Sequence, residues 1–170
     1  GARTRSDTAA QGGPVNAVFK APPASERGYL LDTSVISSLA PTSRVGHLPA
    51  GCIDWLQAHN DQLFLPCIAV GELAQSIGKL RRAGAGERAD RLDLWLDRLV
   101  AGYGERILPL DAAVVRLAGR LSDEAFARGA HPGFADVAIA ALAQHTRRLL
   151  LTRNLTPFES LDVPCLDPIA

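Results

Sequence analysis

Five short apolar runs, kept apart by segments of helical period, restrict the fold of this chain more than any other feature. They are GYLLD (28–32), QLFLPCIA (62–69), RILPLD (106–111), RLLLTRN (148–154) and VPCLDP (163–168). Runs this short, bounded by turn or helix signals, suit buried strands. Between them, Leu73, Ile77 and Leu80 share one helical face. Leu92, Trp95, Leu96 and Leu99 share another, with acids and arginines opposite. Asp111 is placed to cap the helix AAVVRLAGRLSDEAFARG, and Gly129 to close it. A turn at HPGF then leads into the Ala-rich helix ADVAIAALAQHTR, of the kind that packs tightly under a sheet. Strands alternating with helices predict an α/β domain with a mainly parallel sheet and right-handed crossovers.

The chain length, 170 residues, suits one domain with a substantial core. We place that domain at residues 28–170. Residues 1–27 are rich in Gly, Ala, Pro, Ser and Thr without periodicity, and read as a flexible or expression-derived tail, within which VNAVFKAPP (15–23) has the look of a docking segment. A composition of 47% hydrophobic and 21% charged residues indicates a soluble globular protein. No apolar run approaches the ~20 residues of a membrane span, and no N-terminal signal core is visible, so a cytoplasmic location without membrane attachment is expected. Cys52, Cys67 and Cys165 lack metal or disulfide spacing, and His47, His59, His131 and His145 form no ligand pair.

Eighteen basic and eighteen acidic residues cancel, so the totals do not announce a nucleic-acid binder. The basic residues are nevertheless bunched: Lys79, Arg81 and Arg82 in one group, Arg147, Arg148 and Arg153 in another. Solvated helix ends and a substrate-facing patch both explain such bunching.

The acids are more informative. In a parallel sheet, functional groups gather beyond the C-terminal ends of the strands. Asp32 follows the first strand, Glu72 lies in the helix after the second, Asp136 begins the Ala-rich helix, and Thr152 to Asn154 follow the fourth strand. Each acid has an ordinary explanation as a helix cap or a partner of the helix dipole. Three acids abutting apolar sequence, as in LLD, AVGEL and ADVAIA, are harder to dismiss. Gathered carboxylates repel and lose hydration unless a cation or protons neutralise them. Oxygen-only ligands suit hard ions such as Mg²⁺ or Mn²⁺.

The ordered set YLLDTSVIS, PCIAVGELAQSIGKL, HPGFADVAIAALAQHTRRLLLTRN and FESLDVPCLDP resembles the PIN-domain family, especially its VapC-type toxins. The resemblance covers about residues 28–168 and implies a three-layer α/β/α sandwich. It further implies a metal-dependent endoribonuclease, the toxin of a type II toxin–antitoxin pair, with RNA as substrate, a cognate antitoxin as partner and a homodimeric state. Asp32, Glu72 and Asp136 match the family's metal ligands, Ser34 or Thr33 the hydroxyl beside the first acid, and Thr152 the threonine after the fourth strand. Where relatives carry a fourth acid, this chain has Asn154 or Pro157. Water would attack the phosphodiester in line, leaving 5′-phosphate and 3′-hydroxyl ends. Arg81, Arg82, Arg147 and Arg153 are candidate phosphate contacts. With aromatics at 5%, base stacking is not expected to dominate selectivity. Two other readings compete: a catalytically weakened RNA- or protein-binding module, and a phosphate-transfer enzyme of the haloacid-dehalogenase kind. LLDTS opens like the latter's first motif, but Ser34 stands where its second aspartate belongs.

Overall fold

The computed structural model describes residues 18–41 and 48–169. Five strands, β1 (Tyr29–Leu31), β2 (Leu63–Pro66), β3 (Ile107–Leu108), β4 (Leu149–Leu151) and β5 (Cys165–Leu166), form one sheet in the order β3-β2-β1-β4-β5. Every pairing is parallel, with Leu30 opposite Phe64 on one side and Leu150 on the other. The order reverses beside β1. That switch point is where a parallel sheet opens a crevice at its C-terminal edge.

Seven helices are described: α1 (Thr33–Ser38), α2 (Ala50–Ala58), α3 (Cys67–Arg82), α4 (Gly86–Tyr103), α5 (Ala112–Ala127), α6 (Phe134–Thr146) and α7 (Thr156–Glu159). Alternation along the central strands divides them into two layers. Tyr29, Leu31 and Leu151 point into a core shared with α1 to α4, while Leu30 and Leu150 point into one shared with α5, α6 and α7. The α/β/α sandwich expected from the sequence is therefore present. Residues 137–143 of α6 are all buried, which explains its alanines: a helix enclosed this fully must be slim.

Asp111 caps α5 by accepting from Val114 N at 2.9 Å. Gly129, at φ 81°, ends the same helix. The sequence did not disclose α7, a four-residue turn opened by Thr156-Pro157 whose Phe158 fills the second core. Residues 1–17, and with them the start of VNAVFKAPP, lie outside the described residues, as does His47. The segment from Val18 to Gly28 runs along the domain. Phe19 packs against the first core, Lys20 N donates to Pro168 O at 3.2 Å, and Tyr29 Oη donates to Pro23 O at 2.8 Å.

The entry to β1 depends on Gly28. Its φ is 79°, and a Cβ there would lie 2.4 Å from the Gln62 carbonyl oxygen. Gly84 has a similar φ, 84°, with nothing within 4 Å of such a Cβ. Gly84→Ala is expected to cost about 1 kcal/mol, from the left-handed backbone alone. Gly28→Ala is expected to cost ~2–4 kcal/mol, because the strand pairing must also shift. At roughly 2–4 °C per kcal/mol for a domain of this size, thermal melts separate the two. Equal losses would show that Gly28 is constrained by its dihedral and not by β2.

Candidate active site

Asp32 leaves β1 at the switch point. Its backbone N donates to Leu151 O at 2.9 Å, extending the β1–β4 ladder by one residue. Its carbonyl accepts from Val35 N and Ile36 N at 3.0 and 3.1 Å, opening α1. It thus occupies the cap position of α1, yet its carboxylate makes no capping bond. Instead, Oδ2 accepts from Ser34 Oγ at 2.7 Å and from Thr152 Oγ1 at 2.8 Å. Asp32 is 6% exposed and Thr152 is fully buried, the two buried polar residues of the described chain. A carboxylate this enclosed requires such partners.

The hydroxyls of Thr33 and Ser34, indistinguishable by sequence, divide the work. Ser34 serves Asp32, whereas Thr33 Oγ1 donates to Glu72 Oε1 at 2.7 Å, tying α1 to α3. Ser34 Oγ also accepts from Arg153 N at 3.0 Å, and Thr152 Oγ1 from Asn154 N at 3.0 Å. The segment after β4 is thereby folded onto the start of α1. Arg153 Nη1 donates to Ser38 Oγ at 2.9 Å on the same helix. Ser38 carried no signal in the sequence.

Asp136 stands in the first turn of α6. Burial pushes its carboxyl above the ordinary carboxylate range, and the negative charges of Asp32 and Glu72 push it further. The three acids, remote in sequence, thus lie near enough for Asp136 to feel the other two. Beside them lies a cleft of about 450 Å³ lined by His131, Gly133, Asp136, Asn154 and Pro157. Asn154 and Pro157, the places of the absent fourth acid, both face the cleft that Asp136 lines.

Of the four arginines singled out by sequence, Arg153 alone lies at this edge. Arg81 and Arg82 end α3, a helix whose first residue, Cys67, comes directly after β2; Arg81 lies ~13 Å along the helix axis from Glu72. Arg81 is engaged by Asp90 at 2.9 Å and Asp93 at 3.4 Å on α4. Arg147 caps the C-terminus of α6 and precedes β4, at the opposite edge of the sheet. Bunching in sequence does not mean proximity here, because helices and strands carry neighbouring residues to opposite ends of the layer.

The donor set of the site is oxygen only, which fits a hard divalent ion in chemistry. Its accumulated negative charge, felt at Asp136, is what such an ion would relieve. The spacing is looser: among the described residues, no three His, Cys, Asp or Glu side chains stand close enough together to hold a metal ion. Glu72 and Asp136 are both only partly buried.

Comparison with known proteins agrees with this architecture. The family model described as PIN domain matches residues 29–163. The chain is 30% identical over 141 residues to plasmid stability protein StbB of Pseudomonas syringae pv. tomato, covering 82% of this chain and 96% of that one. Among solved structures it is similar to FitAcB from Neisseria gonorrhoeae, with 28% identity, a TM-score of 0.69 and coverage of 82% of this chain and 97% of that one. It also shares the fold of a member of the VapBC family of toxin-antitoxin systems from Mycobacterium tuberculosis, with 21% identity, a TM-score of 0.57 and coverage of 82% and 96%.

The raised Asp136 pKa makes a prediction about stability. An acid whose folded pKa exceeds its unfolded value binds its proton more tightly when folded. Its contribution is therefore full below the unfolded pKa of 3.8 and is lost as pH rises through the higher folded value. In chelator, Asp136→Asn is expected to remove this decline, melting higher than the parent above that window and converging with it in acid. Parallel melting curves across pH 3–8 would show that Asp136 does not feel its two neighbours.

Proposed function

The chain belongs to the PIN-domain family, and from that premise we propose that it is a metal-dependent endoribonuclease, the toxin of a type II toxin–antitoxin pair. The observation that carries this reading is the approach of Asp32, Glu72 and Asp136 at the sheet's switch point, where burial and then the charges of the first two raise the third. The fold of a toxin-antitoxin family member and the plasmid-stability role named for a relative support the biological setting. RNA as substrate, a cognate antitoxin, a homodimer and a cytoplasmic place of action belong to the same proposal. None of the described helices is long and apolar enough to cross a membrane.

In this reading Asp32, Glu72 and Asp136 would hold Mg²⁺ or Mn²⁺. The bound ion supplies activation of water at neutral pH and offsets negative charge at the scissile phosphate. The chain's own residues do the positioning. Ser34 and Thr152 fix Asp32 Oδ2 from two sides, and Thr33 holds Glu72. Asn154 presents a neutral carboxamide beside Asp136, where its oxygen can serve as a weaker ligand than a carboxylate. Arg153, at the same edge, is the candidate for a backbone phosphate. Water adds to phosphorus as the P–O3′ bond breaks. The proton it loses is matched by the one the 3′-oxygen gains, leaving 5′-phosphate and 3′-hydroxyl ends.

Asn154 and the open ligand spacing favour the weakened binding module as the second reading. The two part on activity. Asp32→Asn, or EDTA with the parent chain, is expected to abolish RNA cleavage while circular dichroism stays native. RNA cut at full rate in EDTA would remove the metal from the mechanism, and no cleavage by the parent under any divalent ion would favour the module. Ser34→Ala, which removes a positioning bond, is expected to lower metal affinity or activity by roughly 10–100-fold. Asn154→Asp should tighten Mn²⁺ binding in calorimetry; an unchanged affinity would place residue 154 outside the ligand shell.

A further inference from the structure

At the edge of the sheet opposite the acids, a cleft of about 470 Å³ lies between the N-terminal segment and the junction of α6 and β4. Its lining includes Pro23, Ser25, Gln144, Arg147, Arg148 and Pro164. Three features set its arginines apart.

First, Arg147 holds φ 55°, the left-handed conformation, at the C-cap of α6. Glycine fits that position without strain, so the exposed guanidinium is carried at a cost in backbone energy. Second, Arg148 lies flat over the Phe64 ring, 3.7 Å from Cζ to centroid, with its Nε buried and without a hydrogen-bond partner. An aliphatic side chain would cover Phe64 without leaving a donor unsatisfied. Third, the charge next to Arg148 is that of Arg27, of the same sign, and together with burial it lowers the Arg148 pKa. Among the described residues, no carboxylate pairs with Arg147 or Arg148. Among the described residues, the cleft thus concentrates positive charge that no carboxylate neutralises, and an anionic ligand would supply the counter-charge.

We propose that this cleft is a second anchoring site for the RNA strand, taking a backbone phosphate at Arg147 and Arg148 and resting its nucleoside on the wall formed by Pro23 and Pro164. Planar guanidinium groups match phosphate oxygens in pairs, and such contacts hold a strand without reading its sequence. The apolar wall beside them suits a sugar or base better than a bare inorganic anion. Arg148 and Thr152 mark the two ends of β4, so a strand held at both places must pass around the outside of the domain. The identification of the anion as RNA rests on the endoribonuclease reading; the basic character of the cleft does not.

The test uses a fluorescein-labelled ten-nucleotide single-stranded RNA and fluorescence anisotropy, with the full chain in EDTA and again in the Asp32→Asn background. Arg147→Gly removes a guanidinium while relieving the backbone, so its melting temperature should hold or rise. Its RNA affinity should nevertheless fall several-fold at low salt, with the slope of log K against log salt reduced by about 0.7 for the lost phosphate contact. Arg148→Gln should weaken binding similarly, and the double variant more. Unchanged affinity and slope in both single variants would overturn the proposal. So would a ten-residue poly-glutamate peptide that binds with this arginine dependence while RNA does not, which would assign the cleft to an acidic protein. If the parent cuts no RNA yet binds it in an Arg147-dependent way, the cleavage reading falls and the cleft stands. If cleavage proceeds and both variants bind as the parent does, the cleft alone falls.

Discussion

Everything at the acidic edge depends on two hydroxyls donating to one oxygen. Asp32 Oδ2 sits at the end of the central strand, enclosed by apolar sequence, and a carboxylate there is tolerable only with donors supplied. Ser34 comes from the first turn of α1 and Thr152 from the end of β4, so satisfying Asp32 also fastens α1 to the neighbouring strand. The same hydroxyls then accept from the backbone of Arg153 and Asn154, fixing the loop that follows β4. A hydroxyl both donates and accepts, which is why Ser and Thr, and not Lys or Arg, can hold a carboxylate and a loop at once. A cation in place of either would neutralise the negative charge on which the site depends.

How much of this was legible in the sequence is decided by the physical origin of each signal. Strand identity depended on short apolar runs, and all five were visible, because each strand is flanked by helices on both faces and must be apolar throughout. The acids were legible for a related reason: in a parallel sheet the residue after a strand is already at the functional edge. Asp32 needed no further information than its place after Leu31. Glu72 and Asp136 needed only the direction of their helices. Sheet order and α7 were not legible, since the first depends on crossovers between elements and the second spans a single turn.

The hydroxyls and the arginines show the limit more sharply. Thr33 and Ser34 are adjacent, and one helical step of about 100° sends them to different acids; no spacing rule could assign them. Arg81 and Arg82 looked like a patch because clustering in sequence was all that could be seen. At the far end of a 16-residue helix they stand away from the site, with Arg81 engaged by α4. Arg147 and Arg153, six residues apart, fall at opposite ends of the sheet because β4 runs between them.

That separation gives the neutral net charge a different meaning. Helix α6 spans the sheet from the acidic edge to the basic one, ~20 Å in 13 residues. Asp136 lies in its first turn, and Arg147 and Arg148 lie at and beyond its last. Both placements agree with the helix dipole, each by roughly 0.3–1 kcal/mol. The dipole is not the larger influence at Asp136, because the carboxyl is raised and not lowered: burial and the repulsion of Asp32 and Glu72 prevail over it. Arg148 is likewise destabilised by burial and by Arg27 despite sitting where a cation is favoured. At each end of one helix, then, like charges are held against their own repulsion, which the neutral sum over the whole chain conceals. Under the proposed function, one polynucleotide would meet both ends: carboxylates that gather cations at one, and guanidinium groups that grip phosphate at the other.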